Sequence, residues 1–140
     1  MKILLAVDGS EYTKKMLAYH TTHDELFGAD NDFTALTVQT PLPPRARAAV
    51  GADAANQYYE EEAAKITGPV DKFLKRAGIN AKLAHKTGAA GEVISKVANS
   101  GKFDMVIMGS HGHGALGNLV LGSVATKVLA QCSAPVLLVR

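Results

Sequence analysis

Cysteine is almost missing from this chain: Cys132 stands alone in 140 residues. One thiol excludes an internal disulfide framework and any cysteine-built zinc pattern, and it agrees with a reducing cytoplasmic setting. Its expected place is that of a small buried hydrophobe near a helix end. Long apolar runs are missing too. After Lys2 only Ile3 to Val7 precede Asp8, far short of the roughly 18 residues a membrane span needs and shorter than a secretory core. The amino-terminal segment is therefore expected to be structural, and no membrane partner is expected. Neither charge dominates, because 15 Lys and Arg face 13 acids for a net charge of +2 with no block of one sign. A nucleic-acid-binding arm or an acidic tail is not expected. Internal repeats and low-complexity tracts are absent as well, and the length suits one domain over residues 1–140.

What is present is alternation. Five short runs rich in aliphatic and β-branched residues read as strands: Lys2–Val7, Phe33–Gln39, Ala81–His85, Met105–Met108 and Pro135–Val139. The first and last are nearly continuous apolar stretches, as expected of parallel strands covered on both faces. Helical segments lie between them. The first is expected from the N-cap Ser10 to near Gly28, and the second from about Asp53 to Ala77, with Gly68-Pro69 predicting a break or kink. A third fits Ala90–Asn99, with an apolar stripe of Val93, Ile94, Val97 and Ala98, and a fourth starts at Ser123 and buries Val124, Val128 and Leu129. Pro41 to Ala52 is rich in Pro and Ala and marks a long surface connection. Strand-helix repeated four times and closed by a strand predicts an α/β fold, a doubly wound five-stranded parallel sheet with helices on both faces. Ligands in such sheets sit beyond the carboxyl ends of the strands. The candidates there are Asp8, Gly9 and Ser10 after the first strand, Val38 to Thr40 at the end of the second, and Gly109 onward after the fourth.

From Gly109 to Ser123 the chain carries five glycines in fifteen positions. Closely spaced glycines after a strand can form a concave ring of N–H donors suited to phosphate oxygens. Gly122-Ser123 then opens a helix, where the macrodipole favours an anion. The segment is neither a Walker loop, since no Lys precedes Ser123, nor a dinucleotide fingerprint, which belongs after the first strand. Composition alone leaves a flexible structural loop and an anion site equally open, and Gly114 and Gly117 are expected only to keep the loop supple.

Spacing adds to composition. Gly109-x-x-Gly112, nine residues, then Gly122-Ser123 resembles the nucleotide-binding motif of the universal stress protein family. The resemblance extends through "KILLAVDGSE", "GEVISKVANSGKFDMVIMGSHGHGALGNLVLGSVATKVL" and "SAPVLLVR", and is weakest from Pro41 to Ala52. It implies strand order 3-2-1-4-5 and the ATP-binding subclass of the family. On that resemblance Asp8 and Val38 contact the adenosine end and Met108 lines the adenine pocket. Gly109, Gly112, Gly122, Ser123 and Val124 then hold ribose and phosphates, largely through main-chain groups. Mg²⁺ is expected to accompany the triphosphate, although no carboxylate is obviously placed to hold it. The resemblance also implies a homodimer through the edge strand Val136, Leu137, Leu138 and Val139.

His20 and His23 share a helical face with Met16 and Phe27, which predicts partly buried, hydrogen-bonded histidines rather than a metal site. His111 and His113, in the glycine segment, are placed to touch phosphate. Catalysis has little support. No G-x-S-x-G elbow is present, Cys132 has no placed base, and Lys127 is the sole candidate for a transition-state cation. The expectation is an ATP-binding regulatory module of the cytoplasm, with no catalytic residue, no protein metal ligand and at most slow turnover. An adenylating or ATP-hydrolysing enzyme, or a nucleotide-free interaction dimer, is the alternative.

Overall fold

Leu4 and Leu5 are neighbours in sequence and both are wholly buried, because consecutive strand residues face opposite sides of a sheet that is covered on each. Each contributes about 2 kcal/mol of transfer free energy. The computed structural model describes residues 1–113 and 120–140. Its strands are β1 (Lys2–Ala6), β2 (Asp32–Gln39), β3 (Lys82–Thr87), β4 (Met105–Gly109) and β5 (Val136–Val139). Its helices are α1 (Glu11–Thr21), α2 (Asp24–Phe27), α3 (Pro44–Val50), α4 (Ala52–Arg76), α5 (Ala90–Ser100) and α6 (Ser123–Gln131). The strands form one parallel sheet in the order β3-β2-β1-β4-β5, as expected.

One core joins Ile3, Leu5, Phe33 and Ile107 of the sheet to Met16 and Leu17 of α1 and Val70 and Leu74 of α4. The other joins Leu4, Leu36, Val106 and Met108 to Ile94 and Ala98 of α5 and Ala125 and Val128 of α6. The register Ile3↔Phe33 and Leu4↔Thr34 keeps the two sets apart, since a slip by one residue would exchange them. The two flanks of the sheet differ. β3 exposes Lys82 and Lys86, whereas β5 is aliphatic throughout and only partly covered at Val136, Leu137 and Leu138.

Several local expectations are corrected. The first helical segment is two helices, because the Thr21 and Thr22 hydroxyls donate to carbonyls of the last turn of α1 and end it before α2 begins. The break at Gly68-Pro69 does not occur. Pro69 deprives the Lys65 carbonyl of its donor, but both residues are exposed, and Thr67, Val70 and Leu74 anchor the helix through this turn. The Pro41–Ala52 connection holds a helix, α3, started by Pro44 at its first position and continued by Arg and Ala. None of its residues is buried, and the segment is tied down where Leu42 N–H donates to the Tyr59 hydroxyl at 2.9 Å. In α6, Leu129 is 46% exposed and Val124 half-buried, and Ala125 takes the buried place beside Val128. Among the described residues no helix is long and apolar enough to cross a membrane.

Candidate functional site

Beyond the carboxyl ends of β1, β2 and β4 lies a cleft of about 280 Å³, at the point where strand order reverses between β1 and β4. β2 contributes Leu36 and Val38, α5 contributes Ala90 and Ile94, and β4 contributes Met108, so this part of the wall is apolar. Ala6, Val7, Asp8, Thr13, Gly109, His111, Gly112, His113, Gly122, Ser123, Val124 and Ala125 complete it. Asp8 is the sole carboxylate among the described lining residues.

Asp8 is held firmly. Its Oδ1 accepts from the Ser10 amide at 2.9 Å and from the Thr13 hydroxyl at 2.8 Å, and its own amide donates to Thr13 Oγ1 at 3.0 Å. The turn thus fixes the side chain through one oxygen. The other, Oδ2, faces Gly112, where an added Cβ would stand only 2.7 Å away. Gly9, with φ +77°, and Ser10 build this turn but do not line the cleft. Ser10 instead caps α1, its Oγ accepting from Thr13 N–H at 3.4 Å.

The glycines after β4 are required by close packing of backbone. A Cβ on Gly109 would meet the Tyr12 Cβ at 2.6 Å, so this residue lets α1 approach the strand exit. A Cβ on Gly122 would lie 3.0 Å from His111 Cα and 3.2 Å from the Ser110 carbonyl oxygen. The Gly122 amide donates to that carbonyl at 2.8 Å, so it is not available to an anion, contrary to the expectation from sequence. The donors left are those of Ser123, Val124 and Ala125, the first three residues of α6, which have no acceptor within their own helix. Among the described residues no side chain caps α6. The cleft therefore ends on bare amides with the positive end of a helix dipole behind them.

Two histidines line the cleft, His111 beside Gly122 and His113 beside Asp8. Ser110 Oγ and His111 Nδ1 share a hydrogen bond of 2.8 Å, and the Tyr12 and His111 rings lie 4.8 Å apart. His113 Nε2–H donates to the Asp8 carbonyl at 2.7 Å. Lys127, the candidate cation, does not line the cleft; its ammonium is 3.7 Å from Glu92. Gly114 and Gly117 lie outside the described residues. Away from the cleft, His23 is hydrogen-bonded as expected, donating from Nδ1 to the Tyr19 carbonyl at 2.8 Å, while His20 is wholly buried and neither ring nitrogen has a partner among the described residues. Burial lowers the His20 pKa, opposed by its backbone and by Asp24. No group of three or more potential metal-ligating side chains occurs among the described residues.

Nine sequence candidates thus line one cleft: Asp8, Val38, Met108, Gly109, His111, Gly112, Gly122, Ser123 and Val124. Sequence reading missed Thr13, Ala90 and Ile94, and also Ala6, Val7, Leu36 and Ala125. Thr13 reads as an ordinary residue in the first turn of a helix, and Ile94 reads as part of the apolar stripe of α5, which it also is.

Residues 1–140 match the family model described as the universal stress protein family. A universal stress protein of Thermus aquaticus is 32% identical over 150 residues, a match that covers 99% of this chain and 97% of that protein. One from a Synechocystis strain is 31% identical over 140 residues and 99% of this chain, which spans only 42% of that relative's length. The solved structure of MJ0577, a protein of Methanocaldococcus jannaschii, superposes with a TM-score of 0.80 at 30% identity, over 99% of this chain and 94% of that one. Two more distant structures share the fold. An Arabidopsis thaliana protein of the family with AMP bound has a TM-score of 0.66 at 17% identity, over 99% and 90% of the two chains. One from Archaeoglobus fulgidus in complex with dAMP has 0.64 at 17%, over 100% and 98%. With the doubly wound sheet, the switch-point cleft and a family match from end to end, this chain belongs to the universal stress protein family.

Proposed function

We propose that this chain binds an adenine nucleotide in the cleft between β1 and β4, with ATP as the physiological ligand, and works as a cytoplasmic regulatory module whose occupancy is its signal. One observation carries the reading: a single cleft joins an apolar slot of Leu36, Val38, Ala90, Ile94 and Met108 to the amino terminus of α6, which no described side chain caps. A flat base suits the first and a phosphate the second, while the Asp8 carboxylate is an acceptor for amine or hydroxyl donors. Family members that share the fold have AMP or dAMP bound, which supports the same class of ligand here.

Turnover is slow or absent in this proposal. Fast hydrolysis asks for a water-orienting base, a metal-holding carboxylate and a cation near the transferred group. Asp8 is the only carboxylate of the described lining, and Ser10 and Thr13 occupy its Oδ1, so a single oxygen, Oδ2, is all that these side chains offer a Mg²⁺. A magnesium ion reaching the cleft arrives with the phosphates and its own waters. The homodimer through β5 belongs to the same proposal, since that flank is aliphatic and leaves one row of main-chain groups unpaired.

Thermal unfolding with adenosine, AMP, ADP, ATP, the pyrimidine nucleotide CMP and inorganic phosphate tests the reading. A ligand at about 100 times its dissociation constant adds roughly 2.7 kcal/mol of stability. Stabilisation by the nucleotides, smaller stabilisation by adenosine and none by a pyrimidine nucleotide is the expected result. Equal response to every anion, or to none, refutes it. Sustained turnover near 1 s⁻¹ would instead identify an enzyme.

A further inference from the structure

We infer that His113 is a positioning residue that fastens the segment after β4 to the end of β1, and that it does so instead of binding phosphate. The inference rests on the nucleotide reading of the cleft. Its imidazole is exposed, yet Nε2–H reaches the main-chain carbonyl of Asp8 at 2.7 Å, across 105 residues of sequence. Asp8 is thereby held from two independent elements. Thr13, in α1, grips its carboxylate and amide, and His113 grips its carbonyl.

The consequence falls on Gly112. It lies against Asp8 Oδ2 so closely that no Cβ would fit, at 2.7 Å, and the residue that follows it is the one anchored to the same aspartate. His113 therefore sets the separation between Asp8 and Gly112, two walls of the cleft. With Nε2–H committed to a carbonyl, that nitrogen is not offered to a ligand oxygen. A donor at the same reach is what the position requires, and Gln supplies one where Ala does not.

Calorimetric titration of AMP and adenosine into the parent protein, His113→Ala and His113→Gln tests this. The Ala variant is expected to weaken both ligands by the same factor, about five-fold, the size of one neutral hydrogen bond. The Gln variant is expected to restore most of it. A loss confined to AMP makes His113 a phosphate contact and overturns the inference, as does an Ala variant that binds both ligands like the parent. A second readout needs no nucleotide. In ligand-free protein, ¹⁵N spectra of the imidazole are expected to show the Nε2–H tautomer, with Asp8 and Gly112 amide signals displaced in His113→Ala and restored in His113→Gln. The opposite tautomer, or amide signals that stay in place, overturns the latch even if the parent binds no adenine compound, an outcome that refutes the nucleotide reading separately.

Discussion

The Gly122 amide donates to the Ser110 carbonyl at 2.8 Å, tying the first residue before α6 to the residue just after β4. Because Gly122 also stands 3.0 Å from His111 Cα at the place of its missing Cβ, its smallness serves the protein before it serves any ligand. Gly122→Val is accordingly expected to lower stability without nucleotide, by about 1–3 kcal/mol, the usual cost of overpacking. Urea denaturation of the ligand-free protein checks this. A variant as stable as the parent would show that the loop yields easily.

Gly112→Ala asks a narrower question. Its Cβ would press on Asp8 Oδ2 from 2.7 Å, at a half-buried position that carries no core packing. Affinity for adenosine and AMP is expected to fall together by about ten-fold, roughly 1.4 kcal/mol, with little change in melting temperature. Isothermal titration of the two ligands measures it, and unchanged affinity for both would remove Asp8 from the site.

Thr13→Val keeps the shape of a buried side chain and deletes its hydroxyl. Asp8 then loses partners at both its amide and Oδ1, which is expected to cost about 1–2 kcal/mol of stability and to weaken adenosine binding. Thr13→Ser retains the hydroxyl and is expected to bind like the parent. Binding that follows the loss of the methyl group rather than of the hydroxyl would contradict the assigned role.

His20 carries a pH prediction. It is wholly buried between the Phe27 and Phe33 rings, at 5.5 and 4.7 Å, and desolvation lowers its pKa from 6.5. The unfolded chain therefore takes up more protons than the folded one below that value. The contribution of His20 to stability is complete above about pH 6.5 and is lost as pH falls through the folded-state pKa. His20→Leu removes two ring nitrogens that are unpartnered among the described residues, so it is expected to stabilise the protein by about 1 kcal/mol at pH 7 and to flatten the decline on the acid side. Guanidinium melts between pH 5 and 8 report both effects, and parallel curves for the two proteins would show that His20 does not titrate differently on folding.

At β5, proposed as the pairing edge, amide exchange provides the test. Outward-facing amides of Val136–Val139 are expected to exchange more slowly as protein concentration rises, while β3 amides do not change. Concentration-independent exchange at β5 would place any interface elsewhere.

Much of this architecture could be read before any coordinates, because aliphatic runs such as Ile3–Val7 are long enough to be strands and too short to be anything else. The cleft could be located for a related reason: much of its wall comes from strand ends and the residues just after them, such as Val38, Asp8 and Gly112, and topology gathers those at one end of the sheet. What escaped depended on the partner of each group rather than on its type. Gly122 offers an amide in sequence and spends it on Ser110 in space. Thr13 looks like a first-turn residue until its hydroxyl is seen between Asp8 N and Oδ1. His20 follows the buried stripe as expected, yet its depth leaves it no hydrogen-bond partner among the described residues, which spacing cannot foretell. The α3 helix escaped because its prolines mark a connection as strongly as they mark a helix start.

The contrast between the two flanks of the sheet bears on polymerisation. Lys82 and Lys86 post like charges along one outer strand, so a second copy approaching there meets repulsion and two strongly hydrated ammonium groups. The opposite flank bears no charge from Val136 to Val139. In the pairing proposed at β5, strand addition is one-sided, because the lysines of β3 oppose a second copy there, and a pair closed across a two-fold axis leaves no β5 edge for further growth.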